Sequence, residues 1–98
     1  MEVTVYILKC SDGSYYTGST KQPAESRLWE HNNLPADKSY TGLRRPVTLV
    51  FTETYERIVD AIARERQIKG WSRRKKEAAI ARQYEALPGL SRRKHLQA

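Results

Sequence analysis

The chain holds a single cysteine, Cys10. A lone cysteine forms no internal disulfide, and no cluster of Cys and His has the spacing of a zinc site. The sequence therefore fits a reducing, cytoplasmic setting. Long apolar runs are missing too. Val3 to Leu8 is too short to span a bilayer and carries no signal-peptide cleavage pattern. Neither a transmembrane nor a secretory segment is expected. Internal repeats and low-complexity stretches are absent. The 98 residues suffice for one domain with one modest core, and not for two. Acidic residues are scarce: 11 Asp and Glu face 18 Lys and Arg, a formal charge of +7.

The positive charge is concentrated late. Arg64, Arg66, Lys69, Arg73, Arg74, Lys75, Lys76 and Arg82 stand against only Glu65 and Glu77 in the same stretch. Such a field attracts polyanions and speeds encounter at low salt. Phosphate backbones are the commonest polyanion for a chain of this size, ahead of an anionic membrane surface or an acidic protein.

Two strand-like segments, Val3 to Lys9 and Tyr15 to Thr20, flank Ser11-Asp12-Gly13, which is a hairpin signal. A two-residue loop would pair Cys10 with Tyr15 and put Tyr6 and Tyr16 on opposite faces. A three-residue loop with Gly13 left-handed pairs Cys10 with Ser14. It brings Tyr6, Leu8, Tyr16 and Gly18 to one face, and is preferred. Pro23 and Ala24 open a helix to about Asn32. Asn33 to Arg45 reads as a loop, and Val47 to Thr54 as a third strand. Tyr55 to Lys69 reads as a helix whose apolar side is marked by Ile58, Ile62 and Ile68. Gly70 ends it. Ser72 caps a third helix that reaches about Tyr84. The expected fold is α+β in the order β-β-α-β-α-α, with a small antiparallel or mixed sheet flanked by helices. Residues 1–86 form the domain and 87–98 a basic tail.

Four features could carry chemistry. Tyr6, Tyr16 and Gly18 make two phenols beside a bare stretch of backbone, although Tyr is also simply a good strand residue. Arg27 and His31, four apart, project from one helix face, as many solvated residues do. Arg suits phosphate oxygens and His relays protons near neutral pH. Glu65 falls where the apolar stripe of Ile58 and Ile62 would continue. A partly buried Glu wants a partner, either a cation such as Arg27 or a metal, and the pattern alone leaves both open. Lys9, Lys21, Arg44, Arg45, Lys69, Arg73 and Arg74 are candidate contacts to backbone phosphates, or parts of a solvated basic surface. Trp71 suits core or helix-junction packing, and Trp29 is open to either role.

These features occur in a familiar order. Tyr6 followed by Ile7-Leu8-Lys9-Cys10, then Tyr16-Thr17-Gly18, resembles the two halves of the GIY-YIG motif. The first triplet, Thr4-Val5-Tyr6, keeps only its Tyr, and no Asn follows Asn33, where many relatives carry one late in the domain. Arg27 to Asn32 is similar to that family's Arg-bearing helix, and Glu65 to Trp71 to its Glu-bearing helix. The match runs from Val3 to Trp71 and is nearest the small single-domain bacterial branch (UPF0213-like). The resemblance implies a central three-stranded antiparallel sheet and one divalent metal ion, Mg2+ or Mn2+, held by Glu65. It implies Tyr6 as general base or water-positioning group, and Tyr16 holding metal-bound water or phosphate. Arg27 would stabilise phosphoryl charge, His31 would assist proton movement, and Gly18 would allow close packing. The function implied is a metal-dependent endonuclease hydrolysing phosphodiester bonds in nucleic acid, DNA favoured over RNA; the sequence leaves the oligomeric state open. The alternative is a binding module that keeps the fold without the reaction.

Overall fold

The computed structural model describes residues 2–35 and 39–85. The basic tail expected at 87–98 lies outside the described residues. The elements run β1 (Val3–Lys9), β2 (Tyr15–Thr20), α1 (Ala24–Asn33), β3 (Thr48–Tyr55), α2 (Ile58–Lys69) and α3 (Arg73–Glu85). This is the expected α+β order. The three strands form an antiparallel sheet in the order β2-β1-β3, so the most apolar strand is central.

The hairpin adopts the three-residue loop. The Cys10 N–H donates to the Ser14 carbonyl at 2.8 Å, and Gly13 has φ +86°, a left-handed value that favours glycine. Asp12 Oδ1 accepts from the Ser14 N–H at 3.0 Å and its hydroxyl at 2.6 Å, which stiffens the turn. The resulting register sets Leu8 opposite Tyr16 and Tyr6 opposite Gly18.

Alternation along the strands divides the core. Val3, Val5, Ile7 and Phe51 face Ala61 and Ile68 of α2, with Trp71, Ala79 and Ile80 packed alongside. Tyr6, Leu8, Cys10 and Val47 form the other face, with Leu28 of α1 and Tyr16 against them. Each fully buried aliphatic side chain contributes roughly 1.5–3 kcal/mol. Asn32 joins α1 to the entry of β3, accepting from the Val47 N–H at 2.8 Å and donating to its carbonyl at 2.9 Å.

Two expectations need correction. Tyr55 belongs to β3, where it pairs with Val3, and α2 starts only at Ile58. An aromatic residue followed by Glu gave no local sign that the strand continued. The apolar side of α2 is also not the stripe through Ile58 and Ile62, which are 48% and 40% exposed. Ala61 and Ile68 are fully buried instead. Small Ala61 lets the helix lie close to the sheet. Glu65 follows Ala61 by four and precedes Ile68 by three, so it does sit on the buried side.

Gly70 ends α2 as expected. Ser72 caps α3, its Oγ accepting from the Lys75 N–H at 3.1 Å. Trp71 packs on the core between Arg64 and Lys75, whose charged groups lie 4.9 and 5.0 Å from its ring centroid, whereas Trp29 is 59% exposed. Gln83 reaches from α3 to β3, accepting from the Thr52 N–H at 2.9 Å and donating to its carbonyl at 2.5 Å.

Candidate active site

The site begins where β1 crosses β2. Tyr6 is almost wholly buried, and its ring lies across the bare backbone of Gly18. A Cβ at position 18 would stand 2.7 Å from Tyr6 Oη, 2.8 Å from its Cζ and 3.2 Å from Tyr16 Cε2. Only glycine leaves room for both phenols, whose centroids are 6.4 Å apart.

Helix α1 brings Arg27 and His31 to these rings. Tyr6 Oη lies 3.0 Å from His31 Nε2, and the positive charge of Arg27 nearby favours the ionised phenol. Arg27 is held in turn by Glu30 at 2.6 Å. His31 Nδ1 lies 2.7 Å from the hydroxyl of buried Thr41. Burial, assisted by the charge of Arg27, lowers the His31 pKa below 6.5. Burial raises the Tyr6 phenol above 10.0, against the opposing pull of Arg27. At neutral pH the ring is therefore neutral and the phenol protonated. The Tyr6 O–H can then donate to Nε2 only in the tautomer whose Nδ1–H donates to Thr41.

The loop after α1 closes over this group. Tyr40 stacks on Tyr16 with centroids 6.2 Å apart, and Arg44 sits 3.8 Å over the Tyr40 ring. Arg44 is itself tied to Asp12 of the hairpin turn at 3.0 Å. The result is an open cavity of about 290 Å³ whose walls include Tyr16, Arg27, His31, Tyr40 and Thr41. Tyr40 and Thr41 carry no signal in the sequence, since only the folded loop places them here.

Glu65 approaches β2 from the opposite face. Ser19, next to Gly18, donates to Glu65 Oε1 at 2.6 Å, and Lys69 Nζ lies 2.7 Å from Oε2. Its side chain is only 18% exposed. Burial works to raise its pKa, but hydrogen bonds from Lys69 and Ser19 prevail and hold it below 4.5. The cation beside Glu65 is thus Lys69, four residues on, and not Arg27. The charge of Glu65 still reaches Tyr6, whose pKa it raises. Ser19 went unnoticed in the sequence, although strand alternation from Gly18 turns it toward α2.

No group of three or more His, Cys, Asp or Glu able to hold a metal occurs among the described residues. A hard cation such as Mg2+ needs only one or two carboxylates and keeps several waters. Glu65, ionised, half-buried and already holding an ammonium group, fits that requirement with Ser19 beside it.

The basic candidates divide. Lys9, Lys21 and Arg74 are exposed. Arg45 donates to the backbone carbonyls of His31, at 2.7 Å, and Leu34. Arg73 pairs with Glu77 at 3.1 Å and lies over the Tyr15 ring. Arg44, Arg45 and Lys69 therefore fasten the site as well as charging its surroundings. No helix among the described residues is long and apolar enough to cross a membrane.

A family model described as the GIY-YIG catalytic domain matches residues 2–78. A UPF0213 protein of Staphylococcus saprophyticus is 49% identical over 77 residues, covering 79% of this chain and 92% of that protein. A UPF0213 protein of Staphylococcus aureus is 50% identical over 72 residues, covering 74% and 85%. Among solved structures, a protein of E. faecalis aligns with TM-score 0.57 at 35% identity, covering 83% of this chain and 84% of that one. A UPF0213 protein of Bacillus halodurans aligns with TM-score 0.53 at 32% identity, with the same coverage.

Proposed function

Because the chain belongs to the GIY-YIG catalytic-domain family, a family of endonucleases, we propose that it is a metal-dependent endonuclease that hydrolyses phosphodiester bonds, with DNA favoured over RNA. The observation that carries this reading is the buried oxygen of Tyr6, hydrogen-bonded to His31 and within the field of Arg27, beside the bare backbone of Gly18. A strand tyrosine kept only for packing has no need of an imidazole on its buried oxygen and a guanidinium charge near it.

The phosphodiester resists water because its own negative oxygens repel the nucleophile. Tyr6 takes the proton of the attacking water as its own proton passes to neutral His31 Nε2. The water oxygen bonds to phosphorus as the P–O bond to the leaving sugar oxygen breaks, and that oxygen takes its proton from solvent. Thr41 orients the ring through Nδ1, and Nε2 accepts in the tautomer whose Nδ1–H donates to Thr41. Arg27 stabilises the phenolate as it forms and faces the cavity where phosphoryl charge builds. Tyr16 lines the same cavity and positions the phosphate. Glu65 and Ser19 would hold the divalent cation, which when bound would supply Lewis-acid charge stabilisation to the reaction. Lys9, Lys21, Lys69, Arg73 and Arg74 attract the backbone, so binding weakens steeply with salt.

The test is nicking of supercoiled plasmid and of branched DNA with Mg2+ or Mn2+. Arg27→Ala should slow nicking by roughly a hundredfold or more, the scale of losing one preorganised charge at the reacting group. If wild-type protein binds DNA with steep salt dependence yet nicks it no faster than this variant, the chain is a binding module.

The acid side of the pH profile follows from His31. The neutral ring is the competent form and its pKa lies below 6.5. Activity should persist as pH falls through 6.5 and decline only below it, at the lowered pKa. His31→Gln should remove that limb along with most of the rate. A limb above 6.5 in the wild type would contradict the assignment.

A further inference from the structure

A second, smaller cavity of about 200 Å³ shares Tyr16 and Tyr40 with the one that holds Arg27 and His31. Its remaining walls are Tyr15, Thr17, Lys69 and Lys76. Three features distinguish it. The hydroxyl of Thr17 is buried with no hydrogen-bond partner among the described residues, and a buried polar group left unpaired is costly. Lys76 is half-buried and makes no ion pair among the described residues. The carboxylates nearby, Glu65 and Glu77, are already engaged by Lys69 and by Arg73 and Tyr15. Two ammonium groups, an unsatisfied hydroxyl and phenols around one small space suit a phosphate oxygen cluster and repel a cation.

We propose that this cavity takes the phosphate flanking the one that reacts, held by Lys69, Lys76 and Thr17. The inference rests on the phosphodiesterase reading, because the two cavities share Tyr16 and Tyr40 as a common wall. A chain running past that wall would set successive phosphates in the two cavities. The substrate is then a polynucleotide strand engaged through at least two consecutive linkages, and an isolated phosphodiester binds poorly.

The full chain, labelled with 15N, is titrated at constant ionic strength with d(TpT), which has one phosphodiester, and d(TpTpT), which has two. The second phosphate should raise affinity by roughly fivefold or more, the scale of one charged contact near a surface. Saturable shifts should appear at the amides of Thr17 and Lys76 with d(TpTpT). Lys76→Gln should abolish the gain from the second phosphate. Thr17→Val should reduce it while leaving the melting temperature equal or higher, because valine removes the unsatisfied hydroxyl and keeps the shape. Equal affinity for the two probes, or an undiminished gain in Lys76→Gln, overturns the proposal even if Thr17→Val fails to fold. These readouts are independent of cleavage. Failure of the nuclease reading would show as absent nicking with the gain intact, and failure of the cavity as nicking without the gain.

Discussion

Glutamine in place of Glu65 is expected to slow plasmid nicking in saturating Mg2+ by about a hundredfold to a thousandfold. Glutamine keeps the side-chain length and an oxygen for the Ser19 hydroxyl, which now lies 2.6 Å from Glu65. It removes the negative charge that holds a divalent cation. The fold should barely notice. The Lys69 partner is 55% exposed, so the lost ion pair is worth roughly 0–1 kcal/mol after solvent screening. Any stability Glu65 gives through its lowered pKa is present above 4.5 and fades as pH falls through the folded value, so the variant and wild type should converge in acid. Nicking rates, thermal melts and DNA affinity measured together separate the cases. A variant that nicks like the wild type would show that Glu65 is held by Lys69 for structure alone. DNA affinity without metal should be unchanged or slightly higher, since a negative charge has gone.

Alanine at Gly18 should damage both stability and rate. Its Cβ would press on the Tyr6 ring at 2.7 and 2.8 Å and on Tyr16 at 3.2 Å. Tyr6 cannot swing away, because it is buried in the sheet and tied to His31 at 3.0 Å. Overpacking of this kind costs about 1–3 kcal/mol. In a domain of this size that lowers the melting temperature by roughly 5 to 20 °C. The displaced phenol loses its alignment with His31, so nicking should fall by at least about tenfold even well below the melting point. A Gly18→Ala protein that melts and nicks like the wild type would mean that the strands do not approach as closely as the register requires.

Much of this geometry was readable from residue spacing. Gly13 at the third loop position selected the register, and the register alone put Tyr6, Tyr16 and Gly18 together. The four-residue step from Arg27 to His31 placed both on one side of α1. The helix that carries Glu65 was found, but its apolar side was misassigned, because exposed Ile58 and Ile62 outweigh small, buried Ala61 in any pattern based on hydrophobicity. Tyr40, Thr41 and Arg44 reach the site only through the folded path of the loop. That path depends on the Asp12 to Arg44 pair and on Asn32 gripping Val47, contacts between residues far apart in sequence. Their partners, rather than their residue types, define their roles.

The contact between Gln83 and β3 reaches beyond the site. β3 is an outer strand, and an outer strand is a template on which another chain can extend the sheet. The Gln83 amide presents one acceptor and one donor to Thr52, as the peptide group of a neighbouring strand would. The molecule thus carries its own terminator for ribbon growth, mounted on a helix that must stay docked for the terminator to act. Detachment of α3 would free the Thr52 peptide groups on that edge, where another strand can pair.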